Sequence, residues 1–345
     1  MIGLPTLGPR GNLCPPRVGV DAAPTIQDMN EVKPVHDSGL HLLTLVTTCA
    51  TFVLIIAGGL VTSNDAGLSV PDWPLSHGSL WPEMRGGVFY EHTHRMLGAA
   101  VGLLIIVLNL WLWRKESRSW VKYLGLVALM VVISQGVLGG ITVLFFLPAP
   151  VSIAHAGLAQ VFFCLTVTLV LVTSVGWIET DQSLQFRVSE RVDVLAALTT
   201  LVIFLQVIAG AILRHLGTVE GTKGAILVTW VLVIHLIGTL LVAGMIVYTA
   251  LAILKRPEDR GLVGWAYLML GLLVLQLFLG LGAYLARVEA VNQVQPLRLN
   301  LLITTSHLAV GALLLATSLV VALKLTRKST ASDEMPRWSE ASLIC

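Results

Sequence analysis

Eight apolar runs, at about 41–62, 90–113, 120–143, 152–177, 193–213, 225–254, 262–285 and 300–325, constrain this chain more than any other feature. Each is close to the ~20 residues with which a helix crosses the ~30 Å hydrocarbon layer of a bilayer. No water inside that layer can satisfy backbone N–H and C=O groups, so runs of this length must be helical. The expected fold class is an all-α integral membrane protein with eight transmembrane helices. Composition agrees: 55% of the 345 residues are hydrophobic and 12% are charged, against roughly a quarter charged in a water-soluble domain. The net charge of +2 and the lack of any basic tract argue against a nucleic-acid partner. The four cysteines, Cys14, Cys49, Cys164 and Cys345, form no close pair, so neither a CxxC motif nor a disulfide framework is expected.

Positive charge sets the expected orientation. Of 22 Lys and Arg residues, 16 fall in the N-terminal arm, the loops after spans 2, 4 and 6, and the tail. The remaining six, Arg85, Arg95, Arg214, Lys223, Arg287 and Arg298, lie toward the other side. Both termini are therefore expected in the cytoplasm, with the odd-numbered loops outside. Residues 1–37 have neither the layout of a signal peptide nor that of a transit peptide, and read as a flexible cytoplasmic arm.

The spans also repeat. IIAGGLVTS (55–63) in span 1 resembles VIAGAILRH (207–215) in span 5, and QGVLGGITV (135–143) in span 3 resembles QLFLGLGAY (276–284) in span 7. Forty-one residues separate His94 from Gln135, and forty-one separate His235 from Gln276. The expectation is two tandem four-helix bundles in a parallel repeat, 38–177 and 190–325, joined by a cytoplasmic linker at 178–189 and followed by a cytoplasmic tail at 326–345.

This repeat sorts the histidines. His94, His155, His235 and His307 occupy spans 2, 4, 6 and 8, one per even-numbered span, each near its outer end. An ionisable side chain within a span is costly and marks a candidate site. A single one is most simply a neutral imidazole bonded to a neighbouring carbonyl. Four in matching positions point instead to two facing pairs, the arrangement that holds haem iron inside a helical bundle. Zinc fits less well, because no cysteine, carboxylate or third histidine joins either pair. The residues one turn on, Gly98, Ala159, Thr239 and Gly311, are small enough for a flat macrocycle, although small residues also serve plain helix packing. Arg95 and Arg214, with Lys223 and Arg298 behind them, are candidates for haem propionates or for simple interfacial snorkelling. The long outer loop 63–89 carries Asp72, Trp73, His77 and Trp81. It is placed to cover the first pair as a lid, with Asp72 capping a turn and His77 structural. Its tryptophans also suit a membrane interface.

Taken together, GLSVPDWPLSHG (67–78), EHTHR (91–95), HAGLAQ (155–160), GAILRH (210–215), HLIGTLLV (235–242) and HLAVG (307–311) resemble the haem A synthase family over about residues 40–325. HxxxG is weak alone; the order and helix placement of the set carry the resemblance. It implies an inner-membrane oxidoreductase that oxidises a methyl group of haem O to a formyl group, giving haem A for a terminal oxidase. By position, His235 and His307, with Arg214, would hold a permanent haem b in the second half. His94 and His155, with Arg95, would receive the substrate haem O in the first. The family's ExxHR motif maps onto Glu91, His94 and Arg95, which makes Glu91 the candidate catalytic residue. The rival use of Glu91 is an ion pair with Arg95 at the helix end. His92, off the ligand face, is expected to be expendable. Implied partners are haem O synthase as donor, the terminal oxidase or its assembly factors, the bilayer and an electron partner of unknown identity; a homo-oligomer is left open. Many relatives carry a cysteine pair in the first outer loop, where this chain has Val70 and Ser76, which puts thiol-based electron entry in doubt. Outside this family, a bis-His diheme b-type electron-transfer cytochrome would need the same two pairs.

Overall fold

The computed structural model describes residues 36–178, 190–216, 222–255, 260–290 and 298–333. Most of the N-terminal arm, nearly all of the 178–189 linker and the end of the tail thus lie outside the described residues. The described residues are helical with no strand: α1 (Ser38–Ser63), α2 (Gly87–Lys115), α3 (Ser119–Leu144), α4 (Ala149–Thr173), a single turn α5 (Val175–Ile178), α6 (Glu190–Leu216), α7 (Thr222–Leu254), α8 (Arg260–Ala290) and α9 (Arg298–Asp333). Eight of them, all but α5, are long and apolar enough to cross a membrane. This is a multi-pass membrane protein.

The helix ends follow local chemistry. Asp37 starts α1 by accepting the Leu40 N–H at 3.0 Å. That N–H holds the Asp37 carboxyl below its usual range, against the opposing effect of burial. The run at 152–177 was expected to be one helix, and the structure corrects this. Ser174 takes an extended conformation, ψ 149°, and its hydroxyl donates to Leu171 O at 2.7 Å, so α4 stops and α5 begins. A serine side chain that competes for the backbone in this way ends a helix that hydropathy alone would continue. Arg327 from α9 then donates to Trp177 O and stacks over the Trp177 ring at 4.4 Å.

Contacts between elements fall into two closed rings. In the first, α1 touches α2, α2 touches α3, α3 touches α4, and α4 returns to α1; in the second, α6, α7, α8 and α9 do the same. The rings join through α1 against α9, α4 against α6, and α4 against α9. Ile55, Phe163, Ala312 and Ala316 form the buried seam, with Gly59 against Leu308 and Gly157 against Ile208. The two most covered helices belong to the seam: 72% of the apolar window of α9 and 50% of that of α4 are inside the protein, against 6% for α7. The outer helices therefore present leucine, isoleucine and valine to lipid, as dispersion with acyl chains permits.

Candidate functional site

Each of the four span histidines stands in the first half of its helix, on α2, α4, α7 and α9. Each ring lies against a glycine of the preceding helix. A methyl placed on Gly58 would come 3.0 Å from His94 Cε1, on Gly139 3.5 Å from His155 Cε1, on Gly210 3.2 Å from His235 Cε1, and on Gly280 3.0 Å from His307 Cε1. A side chain at three of these positions would therefore have to push the imidazole away. His94 interacts electrostatically with His155, and His307 with His235, so the rings form two pairs, one per ring of helices. The structure thus brings His94 together with His155, and His235 together with His307.

The four glycines sit inside the repeated segments of spans 1, 3, 5 and 7, yet sequence reasoning did not connect them with the histidines. Their equal placement one helix before each histidine was the available signal.

Hydrogen bonding differs between the pairs. In the second ring, Gln206 Nε2 donates to His235 O at 2.7 Å and to Thr239 Oγ1 at 2.8 Å, and lies 3.1 Å from His235 Nδ1. Gln276 Nε2 is 3.5 Å from His307 Nε2. In the first ring, Gln135 Nε2 donates only to the backbone, His155 O, at 3.0 Å. Nδ1 of His94, His155 and His307 is buried with no hydrogen-bond partner among the described residues. Of the small residues one turn beyond the histidines, Gly98 has nothing within 4 Å of an added methyl, and neither do Gly102 and Gly136. Gly311, by contrast, faces the Gln276 amide at 3.1 Å.

Above the first pair, the loop between α1 and α2 is held by the α2 cluster. Arg95 donates to Asp72 O and Leu75 O at 2.7 Å each, to Val70 O at 3.1 Å, and to Glu91 Oε1 at 2.5 Å. Glu91 Oε2 accepts the Val70 N–H at 2.8 Å. This ion pair is nearly buried, with side chains 10% and 4% exposed, and both Glu91 oxygens are engaged. The His92 Nδ1 lies 2.8 Å from Ser76 Oγ, both residues being buried. Expected to be expendable, His92 is instead a second tie between α2 and the loop. Asp72 closes a turn by accepting the His77 and Gly78 N–H groups at 2.7 Å each, and the Gly78 N–H above all draws its carboxyl below the usual range. His77 itself is exposed.

The far side of the loop reaches the opposite helices. Trp73 packs on Gly140, the neighbour of the glycine that seats His155, at 3.0 Å from an added methyl, and Gly67 meets Leu147 of the α3–α4 connection at 3.4 Å. In the second ring, Arg214 donates to Thr62 O at the end of α1 at 2.7 Å, so it ties the two rings together. His215, beside it, interacts electrostatically with His155 across the seam.

Known proteins with matching sequences share this site-bearing region. The profile of the COX15-CtaA family, described as cytochrome oxidase assembly protein, matches residues 41–223. A protein named Heme A synthase from Bacillus licheniformis is 24% identical over 271 residues, which cover 73% of this chain and 88% of that one. Another of the same name, from Exiguobacterium sibiricum, is 28% identical over 240 residues, 65% of this chain and 79% of its own. A third, from Bacillus pumilus, reaches 32% over 135 residues, 38% of this chain and 44% of its own. With the match covering all four helices of the first ring and α6, the chain belongs to the COX15-CtaA family of cytochrome oxidase assembly proteins.

Proposed function

We propose that this protein is a haem A synthase, an oxidoreductase that converts a methyl group of haem O to a formyl group and so makes haem A for a terminal oxidase. The observation that carries this reading is the set of four glycine-seated imidazoles in two pairs, in a chain similar to proteins named Heme A synthase. The residues fit a bis-imidazole macrocycle. Neutral imidazoles are the ligands that iron takes in helical bundles, and Nδ1 of three of the rings is buried with no side-chain hydrogen-bond partner among the described residues. Open space beside Gly98 and Gly102, one and two turns on from His94, suits a flat ring next to that histidine.

On this reading the two bundles, 38–177 and 190–325, arose by duplication as a parallel repeat and have separate tasks. His235 and His307 hold a resident haem b, which supplies redox equivalents when bound. His94 and His155 hold haem O as substrate. Arg214 and Arg95 contribute positive charge at the outer ends of the bundles, where propionates would lie. Glu91, the one buried carboxylate in a membrane-crossing helix among the described residues, is assigned to orient the reacting region near His94. Glu91→Gln keeps an acceptor for Val70 and loses the ion pair; an unchanged rate of haem A formation removes Glu91 from the chemistry. Both termini face the cytoplasm of a bacterial inner membrane, and the haem sites face outward. Haem O synthase, the oxidase or its assembly factors, and an electron donor are the partners.

The test is extraction and chromatography of haems from cells with and without the protein. Accumulation of haem O in its absence supports the synthase. Unchanged haem A in its absence rejects that reading and leaves an electron-transfer cytochrome.

A further inference from the structure

Three glycines of the first bundle border space that the protein does not fill. A methyl added to Gly98 or Gly102 of α2, or to Gly136 of α3, meets no atom within 4 Å. All three belong to one interface. Gly102 lies about two turns before Asn109 on α2, and Gly136 about three turns after Gly125 on α3. Asn109 and Leu112 pack against Gly125, at 3.1 and 2.6 Å from an added methyl. The two helices therefore touch in their inner halves and part in their outer halves, at the level of Gly98, one turn from His94. Ala99 and Gly136 are exposed there, so the space also opens to lipid.

The second bundle carries side chains at the same place. A shift of 141 residues brings His94 onto His235 and matches buried positions of the two bundles, Ile105 with Ile246, Leu112 with Ile253 and Ala128 with Met269. In that register Gly98, Gly102 and Gly136 correspond to Thr239, Ala243 and Leu277, and Ala99 to Leu240.

Other ways out of the first site are obstructed. Above it, Arg95 holds the loop by Val70 O, Asp72 O and Leu75 O. Below it, Ile105, Leu108, Ala128 and Leu169 are fully buried. To the side, Gly58 of α1 lies against the His94 ring, and α1 and α4 back onto the second bundle. His94 stands on the face of α2 that carries Gly98, and no side chain among the described residues hydrogen-bonds its buried Nδ1. The open space thus adjoins an imidazole left for a ligand.

We propose that the cleft between α2 and α3 takes the apolar isoprenoid tail of the macrocycle bound at His94 and His155, and leads it out of the bundle into the bilayer. Lipid chains are as apolar as the tail, so it rests among them without cost, whereas side chains in its path would have to be pushed aside. The first site accepts a tailed haem by leaving room for it. The second site, with Thr239, Ala243 and Leu277 at these positions, suits a haem without a tail. This rests on the reading that His94 and His155 hold haem O.

The experiment uses the full-length protein in lipid nanodiscs, with spectroscopic titration of the first site by haem O and by tail-less haem b. His94→Ala comes first; haem O binding that is unchanged in it means the underlying reading fails, whatever the cleft does. With that reading secure, Gly102→Leu/Gly136→Leu should weaken haem O binding about tenfold or more and leave haem b binding at its native strength. Haem retained by the second bundle at its native amount shows that the variant is folded. Should the double variant lose that haem, Gly136→Ala carries the test, with the same preference at smaller size. Haem O bound as tightly as in the native protein would overturn the proposal. Equal weakening of both haems would overturn it too, because the glycines would then make room for the macrocycle and not for the tail.

Discussion

The first and second bundles share a scaffold and differ in what covers it. In both, four helices close a ring and two imidazoles rest on glycines of the preceding helices. Above the first pair lies a loop of more than twenty residues, clamped by Arg95 and Glu91 and laid across to Gly140 by Trp73. Only residues 217–221 separate α6 from α7, and the positions equivalent to Glu91 and Arg95 are Leu232 and Leu236. Two rings of like helices therefore seat imidazoles alike, while the roof and its charges give one of them an environment the other lacks.

The largest expected break in that comparison comes from Arg95→Leu. It leaves Glu91 as an unpaired buried carboxylate and strips four acceptors from one guanidinium, a loss on the order of 3–5 kcal/mol for a buried ion pair. Limited proteolysis should then cut within residues 64–86 while the haem that the proposed function assigns to the second bundle stays at its native amount. Loss of both haems together would show that the roof is not local to the first bundle.

Smaller effects are expected at the glycine seats. Gly58→Ala and Gly210→Ala each force a methyl against an imidazole, for about 1–3 kcal/mol of overpacking. Gly58→Ala should perturb only the first site and Gly210→Ala only the second, as read by the visible spectrum of each haem. Gly244→Ala, whose methyl meets nothing within 4 Å, is the control and should leave the spectrum unchanged.

The smallest effect lies at the loop turn. Donors from Gly78 and His77 depress the Asp72 carboxyl in the folded loop, so its stabilising contribution is present above the ordinary value of 3.8 and fades as pH falls through the depressed one. Loop proteolysis should therefore be flat from neutral pH to about 4 and rise only below that. Asp72→Ala should remove that acid dependence and loosen the loop at every pH.

Much of this architecture was legible in the sequence because bilayer physics leaves few options. Eight apolar runs gave eight helices long and apolar enough to cross a membrane, and one histidine in each even-numbered span gave the expectation of two facing pairs. The break at Ser174 was not legible, because hydropathy is blind to a hydroxyl that prefers its own backbone. Nor were the bonds of Arg95: a cation at a helix end reads equally as a snorkelling side chain, a propionate ligand or a loop clamp. His92 and Ser76 lie sixteen positions apart, and nothing in either residue marks them as partners.

By itself the sequence determined the class of protein, the number of spans and the four imidazoles, since the lack of water in a bilayer turns length and apolarity directly into helices. Tertiary structure alone decided which glycine seats which histidine, that the Gln206 amide reaches His235 O, and that both oxygens of Glu91 are engaged. These depend on the rotation of one helix against another, which is set by side-chain packing summed over whole faces and has no signature in any single stretch of chain.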